Sequence, residues 1–170
     1  NIVFSGVGKT IDELKFAISK KILLINVESE NEIIEIEKIA KKNNKKINIG
    51  IRLNPDIDAE TLKKISTGRK ENKFGVNKKK FLELLNKYKN SKFININCLS
   101  VHIGSQITNY IPYKNMLKVI SKIIQQSKYK FKYVDLGGGM GIQYENNLKS
   151  LNYSKYNKLI KSFLKKNNTK

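Results

Sequence analysis

Short apolar runs alternate with longer stretches in which apolar residues recur every three or four positions, and this alternation repeats five times. The short runs are typical of buried strands, and the longer stretches are typical of amphipathic helices. Strands are therefore predicted at residues 2–6, 22–27, 47–53, 94–103 and 131–136. Helices are predicted near residues 10–20, 33–40, 78–88, 112–126 and 153–164. Five successive strand–helix units indicate the α/β class, with a parallel sheet and right-handed crossovers.

Local signals mark the starts of three helices. Thr10 precedes Glu13 by three positions and Ser29 precedes Glu32 by three, which is the spacing of a capping box. Pro112 falls in the first turn of the fourth helix, where its missing N–H costs no hydrogen bond.

Polar and glycine residues follow the predicted strands, at the edge where open sheets and barrels both place their sites. They are Ser5–Gly6, Glu28–Ser29, Asn54–Asp56, His102–Ser105 and Gly137–Gly139. A doubly wound sheet and a barrel both fit, but barrels assemble sites from several strands, as here. The sequence favours a partial (β/α)8 TIM barrel of about five parallel βα units in one domain. The strands are near-continuously apolar, which predicts cover on both faces.

The formal net charge of +20 first suggests a nucleic-acid or membrane-surface partner. However, only Arg52 and Arg69 among the 34 basic residues carry the guanidinium group that base and phosphate readers favour. Lys, Asn and Ile make up 77 of the 170 residues, and their codons are A/T-rich. We therefore interpret the excess lysine as codon bias on solvated faces and expect no nucleic-acid partner.

The numbers of cysteines and histidines and the lengths of the apolar runs exclude other classes of protein. Cys98 is the only cysteine, so no intramolecular disulfide can form, which fits a reducing compartment such as the cytoplasm. With one His and one Cys, no zinc site of the usual spacing can be built, and no metal is expected. No apolar run approaches the roughly 20 residues that span a bilayer, so no membrane partner is expected.

Three adjacent glycines, Gly137, Gly138 and Gly139, follow the fifth strand. Without side chains, their backbone N–H groups can converge on an anion, which predicts a phosphate cradle. The alternative is a tight turn that needs positive φ, although three glycines exceed what a turn requires. The segment is not a Walker loop, because no Lys-Ser/Thr follows.

His102 is the only histidine, and it stands two residues before Gly104 and three before Ser105. A lone histidine near a strand end is often a core residue. The neighbouring Gly104 and Ser105 favour a site, where Ser105 could donate its hydroxyl to an anion. The imidazole could stack on an aromatic cofactor or move protons near neutral pH. Cys98 is four residues away on the same strand, too far to hydrogen-bond to His102.

Arg52 lies inside the third strand, where a charge is costly unless it is paired. Two interpretations remain open: a structural ion pair with an acid on a neighbouring strand, or a polar group facing the barrel mouth. Residues 63–75 are too many for a simple connection, which predicts a lid or interface loop. Lys9 lacks the leading spacing of a P-loop and is predicted to lie in a helix-start loop.

Seven segments follow one another in a recognisable order: Val3–Thr10, Asn26–Glu30, Arg52–Ala59, Lys64–Gly68, Glu71–Gly75, Ser100–Gln106 and Asp135–Gly141. Together they resemble the diaminopimelate decarboxylase family, whose members are pyridoxal-phosphate enzymes with an alanine-racemase-like barrel of fold type III. The Ile-Ser-Thr-Gly and Lys-Phe-Gly blocks are the most specific of them. They favour this family over the related ornithine and arginine decarboxylases.

The resemblance implies a function and a set of residues. The family decarboxylates meso-2,6-diaminopimelate to L-lysine and CO2, the last step of lysine biosynthesis, in the cytoplasm and as a homodimer. His102 would be catalytic and stack on the pyridine ring of pyridoxal 5′-phosphate. Ser105 and Gly137–Gly139 would bind its phosphate, and Arg52 matches a basic residue near the cofactor.

The resemblance also implies parts of the family pattern outside these 170 residues. They are a Schiff-base lysine upstream of Asn1, a downstream acidic residue, and a β-rich C-terminal domain. Thr61-Leu62 also stands where many members have Thr-His. Residues 1–170 are thus expected to be part of the barrel domain and inactive alone. The alternatives are an ornithine- or arginine-type decarboxylase barrel, a non-catalytic pyridoxal-phosphate carrier and, remotely, a basic nucleic-acid-binding module.

Overall fold

The structure is a computed structural model that describes residues 1–59, 74–143 and 150–167. The strands are β1 (Val3–Phe4), β2 (Leu24–Val27), β3 (Ile47–Arg52), β4 (Ile94–Ser100) and β5 (Tyr133–Asp135). The helices are α1 (Ile11–Ser19), α2 (Glu30–Lys42), α3 (Lys78–Tyr88), α4 (Ile111–Ser127) and α5 (Tyr153–Asn167). All five predicted strand–helix units are therefore present.

The order of the strands distinguishes between the two predicted architectures. The sheet runs β1-β2-β3-β4-β5, and every neighbouring pair is parallel. A doubly wound sheet reverses its order at a switch point, whereas a barrel adds strands in chain order. Helix α1 contacts α2, α3 contacts α4 and α4 contacts α5, as expected for one outer layer. The fold is thus a partial (β/α)8 barrel, as predicted.

The two faces of the sheet differ in chemistry. Alternate strand residues pack with the helices in one apolar core, among them Ile25, Val27, Ile49, Ile51, Ile96 and Leu99. The other face carries Asn26, Gly50 and Cys98 side by side. A side chain at Gly50 would collide with the Asn26 amide, so glycine leaves room for it. The predicted burial is confirmed at these positions, but the inner face is small and polar rather than apolar.

The helix starts follow the local signals with one exception. Thr10 and Glu13 form the complete capping box of α1, and Pro112 lies in the first turn of α4. Ser29 caps α2 through the Glu32 N–H. The Glu32 carboxylate accepts the Glu28 N–H at 2.7 Å and pairs with Lys9 at 3.3 Å, and it does not complete a capping box.

All five strands are shorter than predicted. β4 ends at Ser100 rather than at residue 103, and Gly104 has φ +150°, a conformation that turns the chain toward α4. Most of the predicted lid loop, residues 63–75, lies outside the described residues, as does Thr61-Leu62. Across the described ranges, no helix has both the length and the apolar character that crossing a membrane requires.

Candidate functional site at the carboxyl edge of the sheet

The three glycines after β5 form a turn in which the backbone conformation requires glycine at the first and last positions. Gly137 and Gly139 have φ values of +67° and +80°, which disfavour any residue with a side chain. A Cβ on Gly137 would lie 2.6 Å from the Val101 carbonyl oxygen, and one on Gly139 would lie 2.9 Å from the Gly104 carbonyl carbon. The turn, residues 137–139, is therefore packed directly against the loop that follows β4.

The middle residue of this glycine turn has a different environment. Among the described residues, no heavy atom lies within 4 Å of where a Gly138 Cβ would be. The Gly138 N–H donates to His102 Nδ1 at 3.3 Å, and its carbonyl accepts from the Tyr113 hydroxyl at 3.1 Å. Gly138 therefore borders open space, while its N–H and its carbonyl are both hydrogen-bonded to side chains.

Asp135 ties the glycine turn to the opposite side of the sheet. Its Oδ1 accepts the Gly137 N–H at 2.8 Å, and its Oδ2 accepts the Asn26 Nδ2 at 2.6 Å. Asn26 is 1% exposed and also donates to the Ser5 hydroxyl at 2.8 Å. The Asp135 carboxylate thus links β5 to β2, and through Asn26 to the residue that follows β1, across the inner face.

His102 lies beside the turn in a neutral form. A Cβ on Gly137 would come within 2.5 Å of its Nδ1, so the ring and the turn are in contact. Burial, and next the positive charge of Arg52, lower the pKa of His102 below its ordinary value of 6.5. Because Nδ1 accepts the Gly138 N–H, the proton of the neutral ring is on Nε2.

Arg52 forms an ion pair with Glu28, which is one of the two interpretations that the sequence left open. Its Nη1 lies 2.7 Å from Glu28 Oε1, and the two side chains are 13% and 9% exposed. The other Glu28 oxygen accepts the Gly75 N–H at 3.0 Å, and the guanidinium lies 5.4 Å from the Phe74 ring centre. Glu28 therefore holds both Arg52 and the end of the segment between β3 and α3.

The structure brings most of the predicted site residues together. His102 contacts the glycine turn, and the Ser105 Cα would lie 3.4 Å from a Cβ on Gly139, with Ser105 itself exposed. Arg52 influences the His102 ring electrostatically from β3. Cys98 is 1% exposed, and its burial raises the pKa of its thiol to about 12, so the thiol stays protonated. Among the described residues, no three His, Cys, Asp or Glu side chains form a group that could hold a metal ion.

Four residues take part in this arrangement without a role predicted from the sequence: Asp135, Asn26, Glu28 and Tyr113. Two of them had a signal in the sequence: Asp135 is an acid at a strand end two residues before the first glycine, and Asn26 is a polar residue inside the apolar β2 run. The residues next to Tyr113 in the sequence gave no signal of its role, because the carbonyl that accepts its hydroxyl lies 25 positions away.

The chain is similar in sequence to known proteins. The sequence profile of a family described as pyridoxal-dependent decarboxylase, pyridoxal binding domain, matches residues 1–170. A diaminopimelate decarboxylase from Campylobacter jejuni is 42% identical over 149 residues, which is 86% of this chain and 37% of the relative. One from Aquifex aeolicus is 43% identical over 150 residues, covering 85% and 35%.

A solved structure is similar over almost the whole chain. Diaminopimelate decarboxylase from Helicobacter pylori, in complex with L-lysine, superposes with a TM-score of 0.90 at 40% identity. The match covers 96% of this chain and 42% of that chain. The chain thus spans little more than a third of the length of the curated relatives described above.

Proposed function

The chain belongs to the family of pyridoxal-dependent decarboxylases, whose pyridoxal-binding domain it matches, and on that premise we propose that the glycine-turn site holds pyridoxal 5′-phosphate. The observation that carries the proposal is the convergence of His102, Ser105 and the glycine turn at one edge of the sheet. These residues come from the ends of two neighbouring strands, as is usual for a barrel site.

The residues present fit a phosphate group. Backbone strain and packing account for glycine at positions 137 and 139, but neither accounts for glycine at position 138. The open space beside Gly138 leaves room for a bulky anion to approach the backbone. Ser105 is exposed next to the turn and offers a hydroxyl donor, and Arg52 adds positive charge nearby.

The proposed mechanism assigns a task to each side chain. Bound pyridoxal phosphate supplies an electron sink for the electron pair that remains when a carboxylate leaves as CO2. Ser105 and the backbone of residues 137–139 would hold the phosphate, and the neutral ring of His102 would contact the aromatic ring of the cofactor. The Glu28 carboxylate fixes the Arg52 guanidinium at the same edge. Arg52 would thereby keep a positive charge close to the cofactor.

We propose that the substrate is meso-2,6-diaminopimelate and that the products are L-lysine and CO2. Two observations support this choice: the names of the relatives and the L-lysine bound to the Helicobacter pylori enzyme. The working protein would be a cytoplasmic homodimer. The lysine that binds the cofactor, the further acidic residue and a β-rich domain would come from outside these 170 residues.

The test is to incubate the complete gene product with pyridoxal phosphate and each candidate amino acid, and to measure CO2 and amine products. Release of CO2 and L-lysine from meso-2,6-diaminopimelate is expected. Activity on ornithine or arginine alone would show that the substrate assignment is wrong. Cofactor binding with no decarboxylation of any of them would favour a carrier protein. A His102→Ala variant serves as the control for activity that arises outside this site.

A further inference from the structure

Tyr113 reaches the glycine turn from the helix layer. It lies in the first turn of α4, and its side chain is completely buried at 0% exposure. Its hydroxyl donates to the Gly138 carbonyl at 3.1 Å. Its ring packs edge-on against Tyr156 of α5, with ring centres 5.0 Å apart. A side chain of the outer layer therefore bonds directly to the backbone at the mouth of the barrel.

The buried Tyr113 hydroxyl distinguishes this residue from a phenylalanine at the same position. A buried hydroxyl without a partner is costly, and phenylalanine would fill the same core space without that cost. Burial raises the pKa of the Tyr113 hydroxyl well above its ordinary value, so it remains a protonated donor. The bond to Gly138 is therefore what tyrosine adds over phenylalanine at this position.

The bond acts on the residue that borders the open space. His102 holds the N–H of Gly138 from β4, and Tyr113 holds its carbonyl from α4. Glycine is the most flexible residue, so a turn of three glycines requires outside contacts to keep one conformation. The two side chains fix the peptide groups on either side of Gly138, and with them the shape of the opening.

We propose that Tyr113 is a positioning residue that sets the glycine turn for the phosphate group of the cofactor. The proposal rests on the proposed function and adds a residue that itself touches neither substrate nor cofactor. Its effect should be confined to ligands that carry the phosphate, because the hydroxyl bonds to the turn and not to the ring-contacting His102.

The test compares pyridoxal phosphate with pyridoxal, which lacks the phosphate, in the complete gene product and its Tyr113→Phe variant. Loss of one hydrogen bond predicts that affinity for pyridoxal phosphate falls by about tenfold. Affinity for pyridoxal should stay the same. Tyr156→Phe is the matched control, since it removes a hydroxyl from the ring that packs on Tyr113, and both affinities should remain unchanged.

Each outcome has a distinct meaning. Equal losses for the two ligands in Tyr113→Phe would indicate general destabilisation and overturn the proposal, as would no loss for either. A tenfold loss in Tyr156→Phe as well would show that core packing, not the bond to Gly138, is responsible. If the unmodified protein does not bind pyridoxal phosphate at all, the proposed function fails. An unchanged ratio of affinities in a binding protein contradicts only the role of Tyr113.

Discussion

The Asn26 amide donates a 2.6 Å hydrogen bond to the Asp135 carboxylate across the inner face of the sheet. The two residues belong to β2 and β5, which are separated by two strands and 109 positions in the chain. The bond therefore spans the concave side of the half-barrel. It joins its two sides and, through Gly137, also holds the glycine turn.

Asn26→Ala should lower the free energy of unfolding by about 1.5–3 kcal/mol, because it leaves a carboxylate without its buried donor. Urea unfolding of the complete gene product measures the change. Asn95→Ala is the control, since Asn95 donates to the neutral Asn48 side chain at 2.7 Å. Its loss should be nearer 1 kcal/mol, about the average for a neutral pair. Equal losses would show that the charge of Asp135 does not strengthen the bridge.

Glu28→Ala should destabilise the protein by about 3 kcal/mol, because Arg52 would remain largely buried without a counter-charge. The Gly75 N–H would lose its acceptor in the same variant. Glu35→Ala removes a more exposed ion pair with Lys38 and should cost less than about 1 kcal/mol. Denaturant midpoints of the two variants compare them directly. A Glu28 effect no larger than that of Glu35 would contradict the role of this pair.

The free energy of unfolding should depend on pH through the carboxyl group of Glu30. Side-chain hydrogen bonds from Lys80 and Lys87 lower its pKa from 4.5 to about 2. A carboxyl with a lowered pKa stabilises the folded state above its unfolded pKa. That contribution should be complete above pH 4.5 and decline toward pH 2. Denaturant unfolding of the wild type and Glu30→Gln should thus differ at neutral pH and converge in acid.

The double variant Lys80→Met/Lys87→Met checks the assigned cause of this shift. It should remove the same component of the pH dependence as Glu30→Gln, because the two lysines supply the hydrogen bonds. A difference between wild type and Glu30→Gln that grows as the pH falls would have the wrong sign and contradict the assignment.

Alanine at positions 138 and 139 should separate the binding role of the glycine turn from its structural role. Gly139→Ala should destabilise the fold by about 1–3 kcal/mol, because alanine at φ +80° is strained and would collide with Gly104. Gly138→Ala should unfold at nearly the wild-type midpoint but bind pyridoxal phosphate more weakly, since its methyl group enters the open space. Thermal unfolding and cofactor titration measure the two effects. Equal effects of both variants on stability would refute the distinction.

His102→Ala should reduce decarboxylase activity at least about tenfold more than Cys98→Ala, a difference of about 1.4 kcal/mol. His102 contacts the glycine turn, whereas Cys98 is buried lower on the inner face and keeps its proton. Steady-state assays on meso-2,6-diaminopimelate compare the variants. Equal losses of activity would make His102 a core residue rather than a catalytic one.

The local features of the fold were predictable, and the long-range pairings were not. Strand–helix alternation, the Thr10–Glu13 capping box and the position of the glycine turn depend on neighbouring residues, which a sequence displays directly. The sequence left open whether Arg52 pairs with an acid on a neighbouring strand or faces the barrel mouth, and the structure pairs it with Glu28. The Glu32 carboxylate bonds to the nearby Glu28 N–H and to Lys9 instead of completing the capping box of α2, and the contact with Lys9, 23 positions away, is one that the local sequence does not show.

The order of the strands also has a consequence for how the protein is made. Each strand pairs with the one before it, so the sheet can extend one βα unit at a time as the ribosome delivers the chain. The Asn26–Asp135 bond must wait for β5, the fifth of the described strands. We therefore expect a nascent chain that stops short of residue 135 to pair β1 to β4 but to have no ordered cofactor site. During synthesis, the paired strands should therefore form before the cofactor site does.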